Sequence, residues 1–346
     1  MRVGIIGGGF GLRVQAPIIL THPSMKLVAV STMNRHKLTE ESREKTLPVH
    51  YTDWIQMLDH EKLDLIIISS LPKYHYSMVR HAMNKGVHVI CEKPFTMNSQ
   101  ESNDLLNLSN TNEVKIFIDF EWRYLAIRQK AKELLSHHAI GTLLHLEYHI
   151  SSPEYQKLQS TVRGWMGEKN QFGGMLGALG THMIDCLRWL EDDEIEQIHG
   201  LTHTHVPLGS GEQRDADDAF FIHGTMRSGS TFSIQFLSGI NHAFGSNLKM
   251  FGSSGTLQII NDKTLWYGRA NEPLQEIPSP IPITAPSTLS VEAQAYYPAF
   301  YTFLDKVYDY IANNKKDKDL PTIVDGHANQ LAIEKIIGNI YTTKKA

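Results

Sequence analysis

The segment Val3-Gly4-Ile5-Ile6-Gly7-Gly8-Gly9-Phe10-Gly11-Leu12 constrains this chain more than any other part of it. A short β-branched run breaks into glycines and resumes as an apolar helical pattern, so strand must turn sharply into helix. Gly7, Gly9 and Gly11 carry no Cβ to obstruct that turn, and backbone N–H groups at the positive end of the helix are left open to an anion such as a pyrophosphate. Phe10 stands inside the same turn. The third small residue of the usual G-x-G-x-x-G spacing would fall at Leu12, so this copy departs from the pattern, and Gly11 is placed to relieve the same crowding one position earlier.

From Val3 to about Asp119, apolar runs alternate with helical patterns: Val3 to Ile6, Leu27 to Val30, Leu65 to Ile68, Val87 to Ile90 and Val114 to Ile118. Each run is apolar throughout, which predicts strands buried on both faces in a parallel sheet covered by helices on either side, a doubly wound Rossmann arrangement. After Asp119 the rhythm changes. A helix over Leu125 to Ser136 precedes a strand ending near Ser151, a loop with Arg163 and Trp165, and a helix after Gly174. Short strands joined by polar turns then follow, among them Phe220 to Met226, Thr231 to Leu237 and Leu248 to Gly252. This part predicts an α+β domain on a large, mostly antiparallel open sheet. The expected domains are therefore 1–120 and 121–346. Five of the 14 prolines lie between Asn271 and Ser290, which predicts a long surface connection. Helices are expected over 294–313 and about 325–342, the last packing back on the first domain.

A chain of 346 residues exceeds what one core usually fills, in keeping with two domains. Its formal charge of -4, with no basic block, gives no reason to expect nucleic acid or a membrane as partner, and points to a small soluble ligand. Cys91 and Cys186 are too few, and too deep in apolar runs, for a disulfide framework or metal knuckle. The chain runs from Met1 straight into a strand with no leader-like segment, and no apolar stretch reaches the roughly 18 residues a membrane span requires, so a cytoplasmic location is expected.

The end of the second run bears on cofactor choice, because a carboxylate there would hold a ribose 2′-hydroxyl and repel a 2′-phosphate. The residues are Val30-Ser31-Thr32-Met33-Asn34-Arg35-His36-Lys37, with no acid. Thr32 and Asn34 offer hydrogen bonds, while Arg35 and Lys37 offer positive charge. The reading leans to NADP(H) over NAD(H), with dual use open and a solvated surface the alternative for both cations.

Three further segments complete a pattern: Ser69-Ser70-Leu71-Pro72-Lys73-Tyr74-His75, Glu92-Lys93-Pro94, and Gly173-Gly174 followed by Gly180-Thr181-His182-Met183-Ile184-Asp185. Together with the glycine turn, and across essentially the whole chain, this set resembles the Gfo/Idh/MocA family of NAD(P)-dependent oxidoreductases, which includes glucose-fructose oxidoreductase and inositol dehydrogenase. The resemblance implies cofactor contacts from Gly7, Gly9, Phe10, Gly11, Ser70, Leu71, Pro72, His75, Glu92 and Lys93. It implies Lys93 beside nicotinamide and substrate, and His182 as the proton acceptor when hydride leaves a secondary alcohol of a sugar, cyclitol or related polyol. Chemically both roles fit: an ammonium behind an apolar strand polarises a substrate oxygen, and imidazole titrates near neutrality. A buried structural histidine is the alternative for His182, because Met183, Cys186 and Leu190 follow the same helix's apolar pattern.

Many family dehydrogenases carry an aspartate four residues before this histidine, where the present chain has Ala178. Asp185 shares a helix face with His182 and is a candidate replacement. Glu121, Arg123, Arg163 and Trp165 are further substrate-binding candidates, with an inter-domain ion pair the alternative for Glu121 and Arg123. His199, His203 and His205 alternate along a strand, but no carboxylate or thiolate pattern accompanies them and no catalytic metal is expected. Two other functions stay open: sugar oxidation on a tightly held NAD that permits glycosidic elimination, and a non-catalytic dinucleotide sensor. A homodimer or homotetramer is expected, as in many members of the family.

Overall fold

The computed structural model describes residues 1–33 and 48–338. The chain divides into two compact units, Met1–Tyr124 with Pro282–Ala328, and Leu125–Ile281 with the remainder from Asn329.

Among the described residues, the first unit is built on six strands: β1 (Arg2–Ile6), β2 (Lys26–Ser31), β3 (Val49–Tyr51), β4 (Leu65–Ile68), β5 (His88–Cys91) and β6 (Ile116–Ile118). They lie in the order β3-β2-β1-β4-β5-β6, and every neighbouring pair is parallel. Successive side chains of a strand point to opposite faces, and the continuous apolar runs use both. In β4, Leu65 and Ile67 join one core while Ile66 and Ile68 join the other. Ile90 and Val89 divide in the same way on β5, as do Phe117 and Ile116 on β6. Each such aliphatic side chain, once fully buried, contributes about 1.5–3 kcal/mol. The strand β3 is absent from the sequence reading: it has three residues, Val49 is half exposed, and an edge position leaves little apolar pattern to detect.

Helices α2 (Trp54–His60), α3 (Pro72–Asn84) and α4 (Ser99–Ser109) supply one cover of this sheet. The other cover corrects the expected domain boundary. Only a π-helical turn (Gly11–Gln15) and the four-residue α1 (Ala16–Ile19) follow β1, too little to shield that face. The gap is filled by α8 (Val291–Asn313), whose Ala293, Tyr297, Phe300, Leu304 and Val307 fall on one stripe and enter the core with Val3, Ile5, Ile18 and Ile19. A further strand-like bridge joins Phe117 to Thr322. The segment 282–328 thus belongs with the first unit, although sequence order sets it after the second. The last helix, α9 (Ile323–Gly338), starts there as well: Ile323 enters a core of the first unit, and Arg123 pairs with Asp325.

In the second unit, β7 (Leu143–Ser151), β8 (Ile195–His203), β11 (Ala219–Met226), β12 (Thr231–Leu237), β13 (Gly245–Gly252), β14 (Gly255–Ile260), β15 (Thr264–Arg269) and β16 (Gln275–Ile277) form one sheet in the order β16-β15-β14-β13-β7-β12-β11-β8. Only β7 and β12 pair in parallel. A small hairpin, β9 (Leu208–Gly209) and β10 (Glu212–Gln213), stands apart. Alternation along the strands buries Leu146, Tyr148, Phe232, Ile234, Leu248 and Met250 and leaves the opposite face half exposed. Helices α5 (Ala126–Ser136) and α7 (Thr181–Glu191) cover the buried side, and α6 (Tyr155–Ser160) lies in the connection that follows β7. No helix among the described residues is long and apolar enough to cross a membrane.

Candidate functional site

In the first unit the candidate residues gather at the carboxyl ends of the parallel strands. Gly7 donates its N–H to Ser31 O at 2.9 Å and has φ +138°, and a Cβ there would stand 2.1 Å from Ser69 O. Only glycine fits. A Cβ on Gly11 would meet Ile5 and Ser69 at 3.0–3.3 Å, so Gly11 does provide the close helix-to-strand packing, which leaves Leu12 to the core. Gly9 is exposed, and a Cβ there would meet nothing nearer than the Arg13 guanidinium at 4.0 Å. This open backbone next to the turn fits the pyrophosphate of a dinucleotide. The Phe10 ring packs edge-on against Tyr296 of α8, with centroids 4.9 Å apart.

Thr32 is buried, and its hydroxyl is 2.8 Å from His50 Nε2. Asn34, Arg35 and Lys37 lie outside the described residues. Pro72 opens α3 at its first position, where the missing N–H costs nothing. Leu71 precedes it, and the Ser70 hydroxyl lies 3.2 Å from Met78 Sδ. His75 is fully buried, with Nδ1 2.9 Å from Pro94 O and Nε2 3.1 Å from Ser70 O, and burial holds its imidazole below the usual value. It braces the loop after β4 against the loop after β5, where the Lys93–Pro94 peptide is cis.

Around Glu92 and Lys93 the structure brings together Asp119 and Glu121 with two groups that sequence reasoning missed, Gln15 and Tyr296. Gln15, wholly buried in the π-helical turn, donates from Nε2 to Glu92 Oε1 and to Asp119 Oδ2, both at 2.9 Å. Burial pushes the Asp119 carboxyl well up, reinforced by Glu92 and Glu121, and raises the partly exposed Glu92 against the opposing pull of Lys93. Glu121 is buried beside them on a 3-10 turn (Glu121–Tyr124). Tyr296 faces the same cluster, its hydroxyl pushed up by burial and by Glu121 and Glu92. The signals for these residues were faint. Gln15 is one polar letter in an apolar helix, and Tyr296 lies 281 positions further along the chain. Arg123, expected at substrate or in an inter-domain pair, is buried and bonded to Asp325 Oδ1 at 2.8 Å and Asp319 O at 3.2 Å, all within the first unit.

In the second unit His182 and Asp185 are both buried on α7, whose residues from Thr181 to Leu190 are buried on every side. A π-helical turn (Leu176–Gly180), containing Ala178, leads into it. The entry is fixed by Asp217, which accepts from Met175 N at 3.0 Å and Leu176 N at 2.8 Å. Gly174, at φ +98°, is required because a Cβ would approach Asp217 Oδ1 to 2.3 Å. Asn329 of α9 donates to Thr181 O at 2.8 Å, next to His182, and Lys132 Nζ donates to the Trp189 and Leu190 carbonyls at the far end. Arg163 is brought to the helix entry, 3.6 Å from Met175 Sδ, and its loop, which also carries half-buried Trp165, is held by Glu212 through the Arg163 and Gly164 N–H groups.

Asp217 also has a measurable consequence. Burial pushes its carboxyl from an ordinary 3.8 up to about 6, against the pull of the Leu176 and Met175 N–H groups. The folded state therefore keeps this proton longer than the unfolded chain, and the associated stability is full below pH 3.8 and lost as pH rises to about 6. Asp217→Asn retains an oxygen for the two N–H donors and is expected to flatten this decline in urea midpoints measured across that interval. An undiminished slope in the variant would refute the assignment.

His199 and His223 stand opposite each other on β8 and β11 with ring centroids 5.9 Å apart, and His203 and His205 lie 4.7 Å apart. His205 Nδ1 is 2.9 Å from Asp218 Oδ1. Among the described residues no group of three or more His, Cys, Asp or Glu side chains is arranged to hold a metal ion.

Residues 1–120 match the model of the Gfo/Idh/MocA oxidoreductase family with its NAD-binding Rossmann fold, and residues 128–258 match the Gfo/Idh/MocA C-terminal domain. The chain belongs to the Gfo/Idh/MocA oxidoreductase family. Similar curated proteins include an uncharacterized oxidoreductase of Synechocystis sp., 25% identical over 84% of this chain and 82% of that one. Glucose-6-phosphate 3-dehydrogenase of Bacillus subtilis is 24% identical over 96% of this chain and 94% of its own. Among solved structures, levoglucosan dehydrogenase in complex with NADH and levoglucosan superposes with a TM-score of 0.82 at 18% identity, over 98% of this chain and 96% of the other.

Proposed function

We propose that this oxidoreductase transfers a hydride between the nicotinamide of NAD(P) and a secondary alcohol of a sugar, cyclitol or related polyol. The observation that carries the reading is the open glycine turn standing with Glu92 and Lys93 at the carboxyl edge of one parallel sheet, the edge at which ligands of such sheets bind. The names of a curated relative, glucose-6-phosphate 3-dehydrogenase, and of a similar solved structure, levoglucosan dehydrogenase, support the substrate class.

Gly7, Gly9 and Gly11 would hold the dinucleotide phosphates, with Phe10, Ser70 and Leu71 around them. The bound nicotinamide supplies a two-electron acceptor or donor. Lys93 orients and polarises the substrate oxygen through its ammonium, and His182 accepts the hydroxyl proton during oxidation and returns it during reduction. Glu121, Arg163, Trp165 and Asp185 are proposed to contact or orient substrate. Preference for NADP(H) rests on the absence of an acid from Ser31 to Met33 and on the cations Arg35 and Lys37 that follow. Arg123, bonded to Asp325 Oδ1 at 2.8 Å, is proposed as a further substrate contact.

The test supplies purified protein with NAD or NADP and a panel of sugars, inositols and sugar acids while nicotinamide absorbance is followed. Turnover of a polyol is expected. No turnover on any member with either nucleotide would overturn the reading, and clearly tighter binding of NAD(H) than NADP(H) would overturn the cofactor preference alone.

A further inference from the structure

Gln15, Glu92 and Asp119 form an unusual arrangement. A single neutral amide nitrogen serves one carboxyl oxygen from each of two acids, at 2.9 Å in both cases. The acids come from the ends of adjacent parallel strands, β5 and β6, which are tied together there by Asp119 N donating to Cys91 O at 2.8 Å. Both accepting oxygens lie 2.9 Å from the one nitrogen, so Glu92 Oε1 and Asp119 Oδ2 are at most 5.8 Å apart, twice that distance. Asp119 is 1% exposed and Gln15 wholly buried, so water cannot screen the pair from one side. Asp119 Oδ1 has no hydrogen-bond partner in the protein.

Charge around the pair is unbalanced if both acids ionise. Lys93 faces it from the loop after β5, whereas Glu121 adds a third carboxyl from the 3-10 turn. The Cys91 thiol on β5 is pushed well up by burial and by both acids, and Tyr296, on α8 with Glu292, adds no positive charge. Arg13, on the π-helical turn, is exposed and already paired with Glu292. Two carboxylates held by one amide nitrogen, Asp119 buried and Glu92 only partly exposed, resist ionising together and titrate as a unit. A lysine in place of Gln15 would support two negative charges; a glutamine supports one.

We propose that Glu92 and Asp119 share one proton, forming a singly charged carboxyl pair whose ionisation sets the relative affinity for oxidised and reduced nicotinamide. The second half rests on the proposed placing of nicotinamide beside Lys93. The oxidised ring carries a positive charge that the reduced ring lacks. When the pair gives its proton to solvent, a second negative charge develops beside the ring and favours the oxidised nucleotide. By reciprocity, binding of the oxidised form releases a proton from the pair and binding of the reduced form does not.

Two measurements test this, and neither needs a substrate. Infrared difference spectra of the nucleotide-free protein at neutral pH, wild type minus Asp119→Asn and, independently, wild type minus Glu92→Gln, should show the carbonyl stretch of a protonated carboxylic acid that the variants lack. In either variant an amide N–H takes over the shared hydrogen bond, so the fold is expected to persist. Fluorescence titrations should then show the ratio of Kd for oxidised over reduced nucleotide falling with pH, up to about tenfold per unit between the pair's pKa in the oxidised complex and its higher pKa in the free protein, and flat in Asp119→Asn. Absence of the acid band in the wild type would overturn the shared proton. A band with a pH-independent ratio would overturn the effect on the nucleotide and leave a purely structural pair. Failure of the polyol panel would leave both measurements readable, so the two readings fall separately.

Discussion

Replacing His182 by asparagine is expected to lower kcat by about 10²–10⁴-fold, the range that a positioned acid–base group contributes. Asparagine retains a polar side chain in the same buried turn of α7 but cannot exchange a proton near neutral pH. The Asn329 bond to Thr181 O and the Asp217 bonds at the helix entry do not involve the imidazole, so the helix should keep its place. Lys93→Met should produce a loss of similar size by removing the ammonium that polarises the substrate oxygen. For His182→Asn, dinucleotide Kd should be unchanged, because the glycine turn belongs to the other unit. Steady-state kinetics on a substrate found by the panel, together with nucleotide titrations, check both variants. Wild-type kcat in His182→Asn would reduce this histidine to a structural residue.

Arg128→Met is expected to destabilise the protein by about 3–5 kcal/mol, the cost of removing one partner from a buried ion pair. Arg128 is 1% exposed on α5, and its Nε and Nη2 bind the two oxygens of Asp262 at 2.8 and 2.9 Å. It also donates to the Tyr148 hydroxyl on β7. Asp262 lies in the tight turn from β14 to β15 with φ +51°, so one guanidinium ties a helix, a central strand and a distant hairpin. Methionine fills much of the same volume but leaves a carboxylate and a phenol without their donor. Adding Asp262→Asn to the variant should recover part of the loss, since a neutral amide is less costly to leave unpaired and asparagine tolerates a left-handed backbone. Urea unfolding of the single and double variants measures both. A single variant as stable as the wild type would show that the pair does not hold the unit together.

Several features were legible in the letters alone because they follow from local periodicity. The runs apolar on both faces specified parallel strands, the short runs joined by polar turns specified a mostly antiparallel sheet, and the glycine turn fell where β1 must bend into a helix. The segments after Ile68 and Cys91 stand at strand ends, as their order predicted. The three-residue β3 escaped because so short an edge strand carries no pattern. The heptad-like stripe on α8 announced a helix, but not which sheet it would cover; the deciding fact, that α1 has only four residues, concerns packing area rather than propensity.

By itself, the sequence determined the two fold types, the position of the glycine turn and the residue types available for chemistry, since these depend on neighbours a few positions apart. Tertiary structure decided which of those residues meet. His75 became a brace between two loops and Arg123 the partner of Asp325. The opening glycine turn acquired its surroundings in the same way: Ser69 O makes glycine obligatory at position 7, and Tyr296 closes on Phe10 from a helix near the other end of the chain. Gln15, Glu92 and Asp119 lie up to 104 positions apart and become one titrating unit only through strand order. Charges and hydrogen bonds depend on distances in space, and only the packed sheet sets those distances.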